Sequence, residues 1–217
     1  QLKAKDVTGE VAFDLFQTYG FPFEITQELV ADKGHTINKK DFDQARDAHS
    51  KASRTASAGM FKGGLADNSE SVTKLHTATH LLHAALRNIL GEHVRQEGSN
   101  ITAERLRFDF AHPAKLTPEE LKLIEQEINT TIKQDLKVTK SIEDRDQALK
   151  SGARAFFKEK YPDRVSVYTI GDSNDFYSKE FCGGPHVSST GQIGTVTIDK
   201  EKSASSGIRR IYASLAT

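Results

Sequence analysis

Tryptophan is absent from this chain, methionine and cysteine occur once each, and proline only five times. The lone cysteine, Cys182, excludes an internal disulfide framework, points to a reducing compartment, and leaves its thiol available as a metal ligand. No apolar run approaches the roughly 20 residues that span a bilayer, and no signal-peptide pattern opens the sequence. The expectation is a cytoplasmic protein with no membrane partner. Neither sign of charge is in excess: 30 basic residues offset 30 acidic ones, so any nucleic-acid binding must come from a local patch. Hydrolase and nucleotide-binding signatures are missing as well. There is no G-x-S-x-G elbow, no H-E-x-x-H pair, and neither Gly63-Gly64 nor Gly183-Gly184 leads into a phosphate-loop lysine.

What is present is a set of soft and borderline metal ligands in two pairs. His76 and His80 stand four residues apart in a segment whose later residues Ala84, Ala85, Leu86, Ile89 and Leu90 keep helical spacing. Their imidazoles therefore share one helix face, about 6 Å apart at Cβ. A hundred residues on, Cys182 and His186 enclose Gly183-Gly184-Pro185, where the glycines permit a turn tight enough to aim both side chains at one ion. Cys1His3 is a donor set suited to tetrahedral zinc. His83 lies on the same face as His76 and is the spare candidate. His93 and His112 sit singly near turns and read as solvated, while His35 and His49 belong to a polar N-terminal stretch.

The order of elements predicts an α+β chain: an N-terminal helical segment, then mixed helices and antiparallel sheet around the zinc site. At 217 residues, 36% of them hydrophobic, a real core can be buried in one domain or two. Helical patterns cover 1–58, broken at Gly20-Phe21-Pro22 and after Val30; the third helix starts near Lys39 or Asp41. That third helix has Phe42 as its only large apolar residue and reads as exposed or partner-facing. Residues 59–70 read as a linker and 71–217 as the second domain. In it the histidine helix stops at Gly91, and Arg105 to Phe110 alternates like a half-buried strand. Thr117-Pro118-Glu119-Glu120 is a capping box opening a helix with Leu121, Ile124, Ile128, Ile132 and Leu136 in one stripe. A short helix spans about Asp144 to Lys150, and strands are expected at 165–170, 195–198 and 208–212.

Several of these segments, taken in order, form a recognisable text: His76-Thr77-Ala78-Thr79-His80-Leu81-Leu82-His83, His93-Val94-Arg95-Gln96-Glu97-Gly98-Ser99, Arg107-Phe108-Asp109-Phe110, Cys182-Gly183-Gly184-Pro185-His186-Val187 and Gly207-Ile208-Arg209-Arg210-Ile211. They closely resemble the editing domain of the alanyl-tRNA synthetases. Upstream, Ala12-Phe13-Asp14-Leu15 and Tyr19-Gly20-Phe21-Pro22-Phe23-Glu24-Ile25-Thr26 look like the end of that family's tRNA-recognition region. The resemblance implies that His76, His80, Cys182 and His186 hold zinc and that tRNA(Ala) mischarged with serine or glycine is deacylated. It also places Gln96 in the editing pocket. Thr79 and Gln96 are the candidate catalytic contacts, against the plainer alternative of a helix-surface threonine and a loop glutamine. Lys158, Lys160, Arg164, Arg209 and Arg210 are the candidate tRNA contacts.

Three departures from the family pattern stand out. Pro185 replaces the usual threonine, and no glycine-rich barrel module precedes the histidine helix. The ATP-dependent aminoacylation motifs are missing too, so the chain is expected to be a fragment, or a compact C-terminal half, of an enzyme whose aminoacylation domain is its partner. Two alternatives stay open: a non-catalytic tRNA-docking module with structural zinc, and an editing domain of the threonyl-tRNA synthetase type.

Overall fold

The structure, a computed structural model, describes residues 7–19, 21–58, 64–155, 161–173 and 175–216, with backbone alone at 17–19 and 49–58. Its chain divides into two compact units, Gln1–Gly59 and Met60–Thr217. The first is helical: α1 (Gly9–Tyr19), α2 (Phe23–Ala31) and α3 (Lys39–Ala58). Phe42 is buried, contrary to the sequence expectation of an exposed or partner-facing α3. Phe13, Phe16 and Phe23 set their rings 5.8, 5.9 and 4.7 Å from it, so one phenylalanine on an otherwise polar helix suffices to close a small aromatic core. Gly9 permits the close approach of α1 to α3, because a Cβ there would lie 2.5 Å from the Phe42 nitrogen.

The second unit holds α4 (Glu70–Leu90), β1 (Gln96–Ile101), β2 (Leu106–Ala111), α5 (Pro118–Lys133), β3 (Val138–Asp144), α6 (Arg145–Lys150), β4 (Arg164–Gly171), β5 (Phe176–Phe181), β6 (Val196–Ser205) and β7 (Ile208–Leu215), with a 3-10 turn at Thr190–Ile193. The strands form two antiparallel sheets, ordered β1-β2-β7-β6 and β3-β4-β5. The whole is the mixed α+β fold expected.

Helix α4 organises this unit. Ser69 caps its start by accepting from the Val72 amide, and Gly91, at φ 113°, ends it. Every residue from Leu75 to Leu86 is buried, because α5 and both sheets pack around the helix. A helix buried on all sides must partner its polar side chains internally, and this one carries three histidines and two threonines there. Helix α5 opens with the expected capping box at Thr117 and Glu120 and buries Ile124, Ile128 and Ile132, with Leu121 and Leu136 partly covered.

Three strands escape the sequence pattern. In β1 the residues are polar and interrupted by Gly98, and pairing with β2, with a bridge from Ile101 to Leu65, holds them extended. Strand β3 mixes polar and apolar residues, and β5 buries Lys179 and Glu180, so neither alternates cleanly. Strand β6 runs past the expected 195–198 into charged residues as far as Ser205, since the turn at Gly207 (φ 70°) pairs that extension with β7.

Candidate metal centre

The loop after β5 returns to the middle of α4. The Cys182 amide donates to the Ser166 carbonyl at 3.1 Å, which anchors the loop on β4. Gly184 then passes against His76 so closely that a Cβ would lie 2.5 Å from its Cε1, a place only glycine can occupy without displacement. His76, His80, Cys182 and His186 thus come together with one ligand atom each, all within 4.8 Å of one another.

Each imidazole is oriented by its other nitrogen. His76 Nδ1 donates to the Pro185 carbonyl at 2.9 Å, and His80 Nδ1 to Glu180 Oε2. His186 Nδ1 donates to Thr77 Oγ1 at 3.1 Å. Thr77 is fully used: it also accepts from the Val187 amide at 3.2 Å and donates to the Thr73 carbonyl at 3.2 Å. The Nε2 atoms are therefore left to face inward. Those of His76 and His186 each lie 3.3 Å from Cys182 Sγ, and that of His80 is buried with no hydrogen-bond partner. Buried, converging Nε2 atoms with Nδ1 committed to outside partners are the arrangement of a metal-ligating histidine set. The residues fit a tetrahedral zinc ion.

Charge completes the picture. Burial pushes the Cys182 thiol up, but the imidazoles of His186, His76 and His80 outweigh it and hold the thiol down to about 2, a shift that favours the thiolate. Burial also presses His186 down to about 3, helped by the charges of His80 and His76, which keeps it neutral. For His80, burial is overcome by Glu180 and Cys182, and its value rises to about 10, so metal binding at its Nε2 would displace a proton. Glu180, despite burial, stays far below the ordinary carboxylate range because His80 and His83 face it.

His83, the spare candidate, donates Nδ1 to Glu180 Oε1 at 2.9 Å and so shares the orienting carboxylate of His80. Thr79 is buried, with its hydroxyl donating to the Leu75 carbonyl at 2.8 Å; the threonine that touches the cluster is Thr77. Gln96 lies in β1 and donates to Ser99 Oγ at 3.2 Å. Arg209 is paired with Glu201, and Arg210 forms a two-point pair with Asp109 at 2.6 and 2.7 Å. Arg164 is exposed at the start of β4, while Lys158 and Lys160 lie outside the described residues. His93 and His112, read from sequence as single solvated residues, are instead hydrogen-bonded to each other at 2.9 Å, because the turn after α4 meets the end of β2. Sequence reasoning missed Glu180, Thr77 and the Pro185 carbonyl. An acid two residues before the only cysteine, in a strand, was the available signal for Glu180.

Comparison with known proteins sets this geometry in a lineage. The model of the threonyl and alanyl tRNA synthetase second additional domain matches residues 165–212, and that of the class II (A) tRNA synthetases matches residues 1–104. The alanine–tRNA ligase of Borrelia hermsii is 54% identical over 215 residues, which is 99% of this chain and 36% of that protein. The alanine–tRNA ligase of Treponema denticola is 54% identical over 211 residues, 97% of this chain and 34% of that protein. The chain belongs to the alanine–tRNA ligase family. It spans about a third of the length of these family members. The first family model spans β4, β5, the cysteine–histidine loop and most of β6 and β7, while the histidine helix falls within the second. Among the described residues, no helix is long and apolar enough to cross a membrane.

Proposed function

We propose that this chain hydrolyses the ester of tRNA(Ala) mischarged with serine or glycine, at a site built on zinc held by His76, His80, Cys182 and His186. The enzyme containing it would ligate alanine to tRNA(Ala) with ATP through an aminoacylation domain of the same polypeptide. The observation that carries the reading is the convergence of four ligand atoms whose imidazoles are already oriented by Pro185, Glu180 and Thr77. Family membership supplies the substrate class.

The need for such a site is physical. A pocket that admits alanine excludes larger residues by size, but glycine fits inside it and serine adds one hydroxyl, differences worth roughly 1–3 kcal/mol. A second site with opposite selectivity removes those errors. When bound, zinc supplies a fixed positive charge against which the substrate's amino or hydroxyl group is held. Four protein ligands fill a tetrahedral shell, which favours this orienting role over generation of a hydroxide. Cys182, through His76, and His186, through Thr77, keep the loop over α4, and Glu180 holds His80 and His83 in register. Water attacks the ester carbonyl, the bond to the ribose oxygen breaks and that oxygen leaves with a proton from the water, with the neighbouring ribose hydroxyl of the terminal nucleoside and the Gln96 amide and Thr79 oxygen as the polar groups within this reading. Arg164, Arg209 and Arg210, with Lys158 and Lys160, are its tRNA phosphate contacts; Arg209 and Arg210 would have to share their present carboxylate partners.

A zinc shell completed by four protein ligands would also suit a second reading, a tRNA-docking module whose zinc is structural. Release of serine from Ser-tRNA(Ala) at enzyme excess separates the two. Hydrolysis by the wild type, lost in Cys182→Ala, is expected; a zinc-loaded wild type that releases no serine would leave only docking. Mischarged tRNA(Thr), run in parallel, tests the threonyl-type alternative, and slower release from it is expected, in line with relatives named alanine–tRNA ligase along 97–99% of the chain.

A further inference from the structure

One face of the smaller sheet leads from the histidine–cysteine cluster to solvent. Cross-strand pairing sets Lys140 beside Tyr168 and Tyr168 beside Glu180, and Ile142 beside Ser166, so these residues share that face. Glu180 is consumed at its buried end. Tyr168 comes next, its ring 4.1 Å from that of His186, with the Lys140 ammonium 5.6 Å from its centroid. Beyond it, Ile142 is 63% exposed on a sheet surface that would ordinarily cover such a residue. Ser166 Oγ, between Ile142 and the Cys182 loop, is buried with no hydrogen-bond partner. Exposed Arg164 closes the strip, two pleats along β4 from Tyr168 at roughly 7 Å per pleat.

The charges on this strip are one-sided in effect. Lys140 and Arg164 are exposed, whereas the two carboxylates on the same face are turned to other work. Asp144 caps α6 by accepting from the Asp146 and Gln147 amides, and Glu180 faces His80 and His83. An aromatic ring, an adjacent aliphatic surface, an unsatisfied hydroxyl and two exposed cations are the parts that bind single-stranded nucleic acid: a base stacks, and the backbone meets positive charge. The ammonium over Tyr168 sits on a flexible stem, so an arriving base can take its place while the charge moves to a phosphate.

We propose that the strip Tyr168-Ser166-Ile142-Lys140-Arg164 is the platform for the 3′-terminal nucleoside and adjoining phosphate of a single-stranded RNA end, with the base stacked on Tyr168. The assignment to the acylated tRNA end rests on the proofreading reading above; the platform itself concerns RNA binding alone. It sets the distance between the RNA terminus and the metal ligands through the contact of Tyr168 with His186.

Binding of an uncharged RNA oligonucleotide ending in CCA to the zinc-loaded chain tests it, with a second oligonucleotide whose terminal nucleotide is abasic. Tyr168→Leu is expected to weaken binding of the intact end by about tenfold, the scale of one lost stack. Tyr168→Phe retains the ring and is expected to stay within about twofold of the wild type. The abasic end should bind wild type as weakly as the intact end binds Tyr168→Leu, and Lys140→Ala should flatten the salt dependence. Equal binding of intact and abasic ends by the wild type, or unchanged binding in a Tyr168→Leu chain of full zinc content, would overturn the platform. The two proposals fail separately. A wild type that shows Tyr168-dependent binding without serine release sinks the deacylase and keeps the platform; a Tyr168→Leu chain that deacylates with unchanged KM sinks the platform and keeps the deacylase.

Discussion

Two groups of histidines sit in this chain, and they are built in opposite ways. His93 and His112, in the turn after α4 and at the end of β2, bond to each other, ring nitrogen to ring nitrogen, on the surface. His76, His80 and His186 never bond to one another; each gives its Nδ1 proton to an outside acceptor and leaves Nε2 facing a common centre with Cys182. Residue type is the same in both places. The difference is the surrounding shell, and it teaches that a metal site is recognised by where the second nitrogen goes rather than by the presence of histidine.

Removing the sulfur should break that contrast most severely. Cys182→Ala is expected to lose stoichiometric zinc at neutral pH, measured by competition with a chromogenic chelator, since the thiolate is the one anionic ligand of the four. Glu180→Gln leaves all four ligands in place but removes the charge that orients His80 and His83. A fall in zinc affinity of about 10–100-fold is expected, with the site still formed. Gly184→Ala probes shape rather than charge: its Cβ must displace the His76 ring and Leu65, so a loss of roughly 1–3 kcal/mol in chemical unfolding is expected together with weaker zinc binding. At the far end of the scale, His112→Ala should leave zinc content unchanged and stability within about 0.5 kcal/mol, as for an exposed surface pair. A zinc loss in His112→Ala equal to that in Glu180→Gln would erase the distinction between the two groups.

The ligands themselves were legible because their spacing is local: i,i+4 on a helix, and four residues across a glycine turn. Their supporting shell was not, because it depends on long-range pairing. Glu180 reaches His80 only after β5 is laid beside α4, a contact across 100 residues. Thr77 looks no different from Thr79 in sequence, yet one hydroxyl meets His186 and the other turns back on its own helix. Among the elements, the capping box of α5 and the glycine stop of α4 are written in contiguous residues and could be read directly. Strand β1 could not, since its polar residues are extended only by their pairing. Phe42 misled for a related reason: a single apolar residue on a polar helix looks unpartnered until the rings of Phe13, Phe16 and Phe23 converge on it.

The central claim is that these four side chains form one preorganised zinc site. X-ray absorption at the zinc edge of the purified chain tests it most directly. One zinc per chain with one sulfur at about 2.3 Å and three nitrogens at about 2.0–2.1 Å is the expected result. A shell without sulfur, or one filled mainly by oxygen, would contradict it.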